Sequence, residues 1–493
     1  VDCIHEHSEE CFPAQQGAEE PGAADVQEAP PVGGEAAPSS PGLCAHICSE
    51  ENGCLTMQLQ CAHEAAGHDG ACGYEPGSPA APCAFVCGAC AAQPEPSPSQ
   101  GPEPSPSQGP ELSARELEAA ANTPPPAAQE DLLAFVGGTG YPSLQEAYDA
   151  AVAGGADTIV LAQGAVLDAC LTVETKMTIV FNGSTLNGPD NDSAFTVRAG
   201  GDLTLTGNGA VNGSLSGNNE WGIVYLEDGA VPLQGQVALQ NNTGHADDGY
   251  GGAVYMKSGR FTMEGGAIQN TSGVYGGAVY QSSGSFTMTG GVIQETQASQ
   301  SGGAIYAKGD VVMSGGSIWH TLAKFYGGAV YVGGTGSFTL ENGLIEGCEA
   351  MGSKWYSAGG AVYASGAVSM TGGSIEGCRG YVGGGGIYMD GGSLAMSGGA
   401  ITGCSTAQDS PDEKYARGGG GGVFVHSGAA FTLTDGEISG NTCAYQGGGV
   451  YLLGTCTMSG GRIADNYAED LSGYSERGGG LALGEGASFT MGG

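Results

Sequence analysis

Positive charge is scarce in this chain: 13 Lys and Arg stand against 52 Asp and Glu in 493 residues, a formal net charge of −39. Phosphate binding needs clustered basic side chains, so nucleic acid is excluded as a partner. The same acidity repels anionic membrane surfaces and suits a soluble extracellular protein. Long apolar runs of about 18 residues are missing, so no transmembrane helix and no membrane insertion are expected. The Gly-rich segments open no helix, which excludes phosphate cradles. The Gly-Gly pairs also lack the Asp of calcium-binding nonapeptide repeats. There is no initiator Met or signal peptide. The chain begins at Val1 and stops at Met491-Gly-Gly493, midway through a repeat, so it reads as a fragment of a longer protein and the missing export signals exclude nothing.

Against these absences stands a repeat that occurs nine times between Gly251 and Gly493. Each unit opens with a strand like Gly251-Gly-Ala-Val-Tyr255 and then carries a second segment like Phe261-Thr-Met-Glu-Gly-Gly-Ala-Ile268. The openings begin at 251, 276, 302, 327, 359, 384, 420, 447 and 478, so the shortest spacing is 25 residues. A fixed period of β-type runs with Gly-rich corners predicts a solenoid. Three short strands per unit make one coil of an all-β, right-handed parallel β-helix.

Alternation along each strand predicts the core. Val254, Val279, Ile305, Val330, Val362, Ile387, Val423, Val450 and Leu481 share one inward position. Phe261, Phe286, Phe338, Phe431 and Phe489 share a second with Val311, Val368, Leu394 and Cys456. Met263, Met288, Met313, Leu340, Met370, Met396, Leu433 and Met458 form a third. Ile268, Ile293, Ile318, Ile345, Ile375, Ile401, Ile438 and Ile463 form a fourth. Burying each such side chain contributes roughly 1.5–3 kcal/mol before entropy is subtracted. A further column, Thr271, Thr296, Thr321, Cys348, Cys378, Cys404, Asn441 and Asn466, reads as a polar corner ladder whose cysteines stay free.

Upstream, three regions differ in composition. Residues 1–90 hold ten of the sixteen cysteines and five of the eight histidines. Residues 91–130 are a Pro/Ser/Glu-rich linker. Within it 94–109 repeats Pro-Glu-Pro-Ser-Pro-Ser-Gln-Gly twice, a semi-rigid extended spacer. Residues 111–122 have the composition of a transient helix. Charge bias and low apolar content predict disorder in the N-terminal part outside cross-linked or metal-bound knots. The solenoid is expected over 131–493, truncated at its C-terminus. It opens with a helical cap: Ser143-Leu-Gln-Glu146 is a capping box, Leu144, Ala147, Tyr148, Ala151 and Val152 come at helical spacing, and Gly154-Gly155 stops the helix. A strand at Thr158-Ile-Val-Leu161 comes next, then less regular strands near Met177–Phe181, Ala194–Arg198 and Leu203–Thr206. A cap is needed because the end of a β-helix exposes apolar surface and unpaired strand edges.

The N-terminal cysteines admit two chemistries. Cys3, His5, His7 and Cys11 form one four-ligand set, and Cys61, His63, His68 and Cys72 a second. Either set meets the need of structural zinc for four N or S ligands. Ten cysteines in an exported segment can instead pair as disulfides, which leaves the paired histidines unexplained. No cofactor is expected for the solenoid itself.

The Gly-Gly-Ala-Val-Tyr and Gly-Gly-x-Ile units resemble the right-handed β-helix repeats of bacterial adhesin-like surface proteins, over about 140–493. They are also similar to the Gly-Gly-Ala-Ile repeats of polymorphic outer-membrane autotransporters, although the accompanying Phe-x-x-Asn is absent: Phe261 is followed by Thr-Met-Glu264. Cys3-x-His5-x-His7-x3-Cys11 resembles the Cys-His repeats of large Gram-positive wall-anchored proteins. The resemblance implies export and display at the cell surface or in the cell wall, and it supplies no ligand.

Two surfaces are candidates for recognition. Tyr255, Tyr280, Tyr306, Tyr331, Tyr363, Tyr388, Phe424 and Tyr451 each come directly after the inward Val or Ile and are expected to face outward. They can serve as a platform for sugar rings or as a cross-coil stack that pins register. The insertions between the third strand and the next Gly-Gly emerge on one edge and carry Trp355, Tyr356, Tyr381, Tyr415, Tyr445, Tyr467 and Tyr474, the predicted binding residues. Catalysis has little to build on. Asp247-Asp248 beside His245, and Asp190-Asn-Asp192, are the local acid pairs near strands, with no recurring Arg or Lys. A lyase needs a carboxylate cluster and a basic residue, and a hydrolase needs paired carboxylates. The reading is therefore a non-enzymatic adhesin-like protein whose partners are glycans or host or matrix proteins. A structural stalk and a polysaccharide lyase or glycoside hydrolase are the alternatives.

Overall fold

The computed structural model describes residues 132–214, 221–243, 249–352, 356–406, 419–469 and 478–492. These form a parallel β-solenoid of about 10 turns. The Cys/His region, the spacer and 111–122 lie outside the described residues.

The cap forms as expected and adds a hairpin. Strands β1 (Ala134–Val136) and β2 (Thr139–Tyr141) pair antiparallel. Helix α1 (Leu144–Gly154) comes next, and Ser143 Oγ accepts the Glu146 N–H at 3.2 Å. Gly155 ends α1 in the left-handed region at φ 71°. Leu144, Ala147, Tyr148 and Ala151 are buried. Val152 is 45 % exposed, contrary to the spacing argument, because it stands in the last turn at the margin of the apolar stripe. Strand β3 (Thr158–Leu161) pairs antiparallel with β1 on one side and parallel with Lys176–Asn187 of the first coil on the other. The hairpin thus occupies the free edge that an uncapped solenoid would offer to another chain.

Beyond the cap, coil stacks on coil in unshifted register along each core column. Val254 pairs with Val279, then Ile305, Val330, Val362, Ile387, Val423, Val450 and Leu481. The Phe261, Met263 and Ile268 columns are equally continuous. From Val254 to Val450 these side chains lie in one apolar core. Each coil is too thin to bury its own apolar face, so stacking is what supplies the core.

The two opening glycines have different physical reasons. The first is in the left-handed region, as at Gly302 (φ 70°). At the second, a Cβ built on Gly303 would lie 2.0 Å from the Gly328 carbonyl oxygen of the next coil. The polar corner ladder does what small hydrogen-bonding residues do in a buried turn. Thr271, Thr296 and Thr321 donate to the carbonyls of Gly277, Gly303 and Gly328 at 2.7, 2.7 and 2.6 Å. Asn441 Nδ2 donates to the Ile401 carbonyl at 2.9 Å. Cys348, Cys378 and Cys404 are buried free thiols, their sulfurs 3.8 Å from the carbonyls of Ile318, Ile345 and Ile375 in the preceding coil.

The expectation of three strands per coil needs correction. A fourth, short ladder comes after the corner column: Gln297–Ser301, Leu322–Ala323, Glu349–Ala350, Arg379–Gly380, Ser405–Thr406, Thr442–Cys443 and Tyr467–Ala468. Most of these strands are two residues long, which is too short for an alternation signal, and they are held by pairing between coils.

Candidate functional site

The fourth ladder builds a groove on the loop edge. Its inward position is held by small buried residues, Gly273, Ala298, Ala323, Ala350 and Gly380. The residues on either side of that position project outward. One outward column runs Ser272, Gln297, Leu322, Glu349, Arg379 in register. The other, one residue past the inward position, runs Val274, Ser299, Lys324, Met351, Tyr381. Between Thr243 and Gly352 these columns line an open groove of about 950 Å3. Its walls mix hydroxyls and amides (Ser272, Gln297, Ser299, Gln300) with apolar Leu322 and Met351 and one pair of opposite charges, Lys324 and Glu349.

The edge aromatics meet the groove at its C-terminal end. Tyr381 comes directly after Gly380, which pairs with the groove-lining strand at Ala350. The Tyr381 N–H donates to the carbonyls of Ala350 and Ser357 at 3.1 and 3.0 Å. Ser357 Oγ in turn donates to the Lys324 carbonyl at 2.6 Å, which ties the segment after exposed Tyr356 to the groove wall. Tyr467 is exposed on the fourth ladder farther along, paired with Thr442, and half-buried Tyr445 lies in the corner after Ala444. Trp355, Tyr415 and Tyr474 lie outside the described residues, as do Cys3, His5, His7, Cys11, Cys61, His63, His68 and Cys72. Gln297, Ser299, Lys324, Glu349 and Met351 were not singled out by the sequence reading. Aligning the coils on the Thr/Cys/Asn corner column and reading the residues just after it would have found them.

The outward aromatic column differs from a sugar platform. Tyr255 through Phe424 stack ring on ring, with centroids 4.4–5.5 Å apart and planes within 16°. Each face is therefore taken by the ring of the next coil, and only edges and hydroxyls remain. Tyr280, Tyr363, Phe424 and Tyr451 are buried rather than exposed. For Tyr280 and Tyr363 the reason is a second column that the sequence reading missed, the residue before each Gly-Gly. Tyr250 packs on Tyr280 at 4.8 Å, Tyr275 on Tyr306 at 5.0 Å and Tyr326 on Tyr363 at 4.5 Å. Burial, reinforced by neighbouring phenols, pushes the Tyr306 hydroxyl well above the ordinary tyrosine value. Burial does the same for Tyr363 and Tyr388, with the Asp390 carboxylate as the next cause. The phenols thus stay neutral donors. Lys308 Nζ lies 3.1 Å from the Tyr280 hydroxyl. A charge column continues the same face toward the cap: Arg198 pairs with Glu174 at 3.0 Å and Lys257 with Glu227 at 3.0 Å.

One of the two acid pairs, Asp190 and Asp192, has hydrogen-bond partners among the described residues. Asp190 accepts from Ser214 Oγ at 3.0 Å, and Asp192 accepts the Ser193 N–H at 2.8 Å. His245, Asp247 and Asp248 lie outside the described residues. Among the described residues, no three His, Cys, Asp or Glu side chains converge as a metal site, and no helix is long and apolar enough to cross a membrane. The chain matches no protein-family model, no curated protein and no solved structure.

Proposed function

We propose that this protein is an extracellular, surface-displayed recognition protein of the adhesin type, which holds glycan or matrix ligands on the loop edge of its solenoid without chemical turnover. The groove on the fourth ladder carries this reading. It is open, lined by short hydroxyl and amide side chains with apolar patches between them, and flanked at one end by Tyr356 and Tyr381. Convergent polar groups beside apolar and aromatic surface are what a sugar ring or an extended peptide needs.

The test is binding of the full chain to an array of glycans, mucins and matrix proteins, beside a Tyr356→Ala/Tyr381→Ala variant. Specific binding that falls at least tenfold in the variant is expected. A stalk is the second reading, favoured by the stacked tyrosine spine that ties successive coils together. It predicts no specific binding by either protein.

A further inference from the structure

The edge groove has a direction, and that direction narrows its ligand. Its lining residues come from five successive coils: Thr243, then Ser272–Val274, Gln297–Gln300, Leu322–Lys324, and Glu349 with Met351 and Gly352. Stacked coils repeat at about 4.8 Å, so the groove runs parallel to the solenoid axis for roughly 20 Å. Along that line the outward column presents one side chain per coil: Ser272, Gln297, Leu322 and Glu349. The companion column presents Val274, Ser299, Lys324 and Met351. The backbone of this surface repeats at each coil while its side chains differ, so it favours an extended linear ligand whose units advance by about one coil spacing, as the rings of an extended polysaccharide do.

The charge of the lining narrows the class further. Lys324 and Glu349 bring one positive and one negative group, and the remaining polar contacts are neutral hydroxyls and amides. The whole chain carries a formal net charge of −39. An acidic polymer would be repelled at long range and would meet Lys324 alone among the lining cations, with Arg379 just beyond the end of the groove. Leu322 (36 % exposed) and Met351 give apolar steps against which the carbon face of a sugar ring can lie.

We infer that the groove binds an uncharged linear polysaccharide laid parallel to the solenoid axis, with about one ring per coil across five coils, its far end meeting Tyr381. The inference rests on the recognition reading under Proposed function. Binding comes from hydrogen bonds donated and accepted by Gln297, Ser299 and Gln300 and from ring contact with Leu322 and Met351. No bond is made or broken.

The experiment is calorimetric titration of the full chain with β-1,4-linked neutral oligosaccharides of increasing length, both plain and N-acetylated, and with an acidic uronate series of the same lengths. Two variants, Gln297→Trp and Ser299→Trp, place bulk in the groove from outward positions and leave the core intact. Affinity should climb with each added ring up to about five and then level off, and either variant should weaken the long oligomers at least tenfold while the circular dichroism spectrum stays unchanged. Length-independent binding, preference for the uronates, or full affinity in both Trp variants would overturn the inference and leave the adhesin reading standing. Failure of every sugar in this titration would overturn the inference, and failure of every glycan, mucin and matrix protein in the array would remove the adhesin reading as well.

Discussion

Replacing Gly303 with alanine should cost far more than an ordinary loop substitution. A Cβ there falls 2.0 Å from the Gly328 carbonyl oxygen and 2.7 Å from the Leu322 carbonyl carbon, whereas real Cβ contacts do not close below 3.0 Å. The next coil must therefore retreat by roughly 1 Å, the difference between those two figures. That coil is held by Gly303 N–H to Gly327 O at 3.0 Å, Ala304 N–H to Ala329 O at 2.9 Å and Ile305 N–H to Ala329 O at 2.8 Å. Such a retreat stretches all three beyond hydrogen-bond range. At about 1 kcal/mol each, with some loss of Ile305–Val330 packing, Gly303→Ala should destabilise by about 3–4 kcal/mol. Gly334→Ala is the control. Its nearest neighbour would be Ser365 Oγ at 3.9 Å, and its φ lies outside the left-handed region. It should be neutral or stabilise by about 0.4–1 kcal/mol through the unfolded chain. Denaturant unfolding reads the totals. Because solenoid stability is a sum of coil and interface terms, hydrogen exchange should localise the damage to the coils that begin at Gly302 and Gly327, with protection falling by about 10²–10³-fold. A Gly303→Ala protein within 1 kcal/mol of the parent, with those amides still protected, would refute the steric account of the second glycine.

Thr296→Val keeps the shape of the corner column and removes the hydroxyl that donates to the Gly303 carbonyl at 2.7 Å, so stability should fall by about 1–3 kcal/mol in thermal or denaturant unfolding. Among the six described cysteines, alkylation of the native protein followed by peptide mapping should label Cys170 and spare Cys348, Cys378, Cys404, Cys443 and Cys456, which are buried. Partial desolvation and then the Asp192 carboxylate raise the exposed Cys170 thiol above its ordinary value, so its labelling should accelerate with pH above that value. The tyrosine spine should make stability sensitive to alkali. Tyr306, Tyr363 and Tyr388 have folded values raised above the ordinary 10.0, so their contribution is complete below about pH 10 and is lost as pH rises toward the folded values. Phenolate absorbance should therefore lag behind that of the denatured chain, and coincident titration curves would contradict the burial of the spine.

The core of this protein was legible residue by residue. Val254, Phe261, Met263 and Ile268 each recur at a fixed period, and strand alternation then assigns them inward with no knowledge of the tertiary structure. The cap was legible for the same kind of reason, since Ser143 and Gly155 act within one turn of the helix they bound. The N-terminal hairpin was missed because its three-residue strands carry almost no pattern. The burial of Tyr280 and Tyr363 was missed because it depends on Tyr250 and Tyr326, each from the preceding coil.

The sequence by itself determined the solenoid, its inward columns and its glycine corners, because a local alternation repeated at a near-constant period leaves one way to stack. Tertiary structure alone decided the fourth ladder, the stacked spine and the groove. Gln297, Leu322 and Glu349 are 25 or more residues apart and carry no shared residue type, and stacking the coils brings them onto one surface.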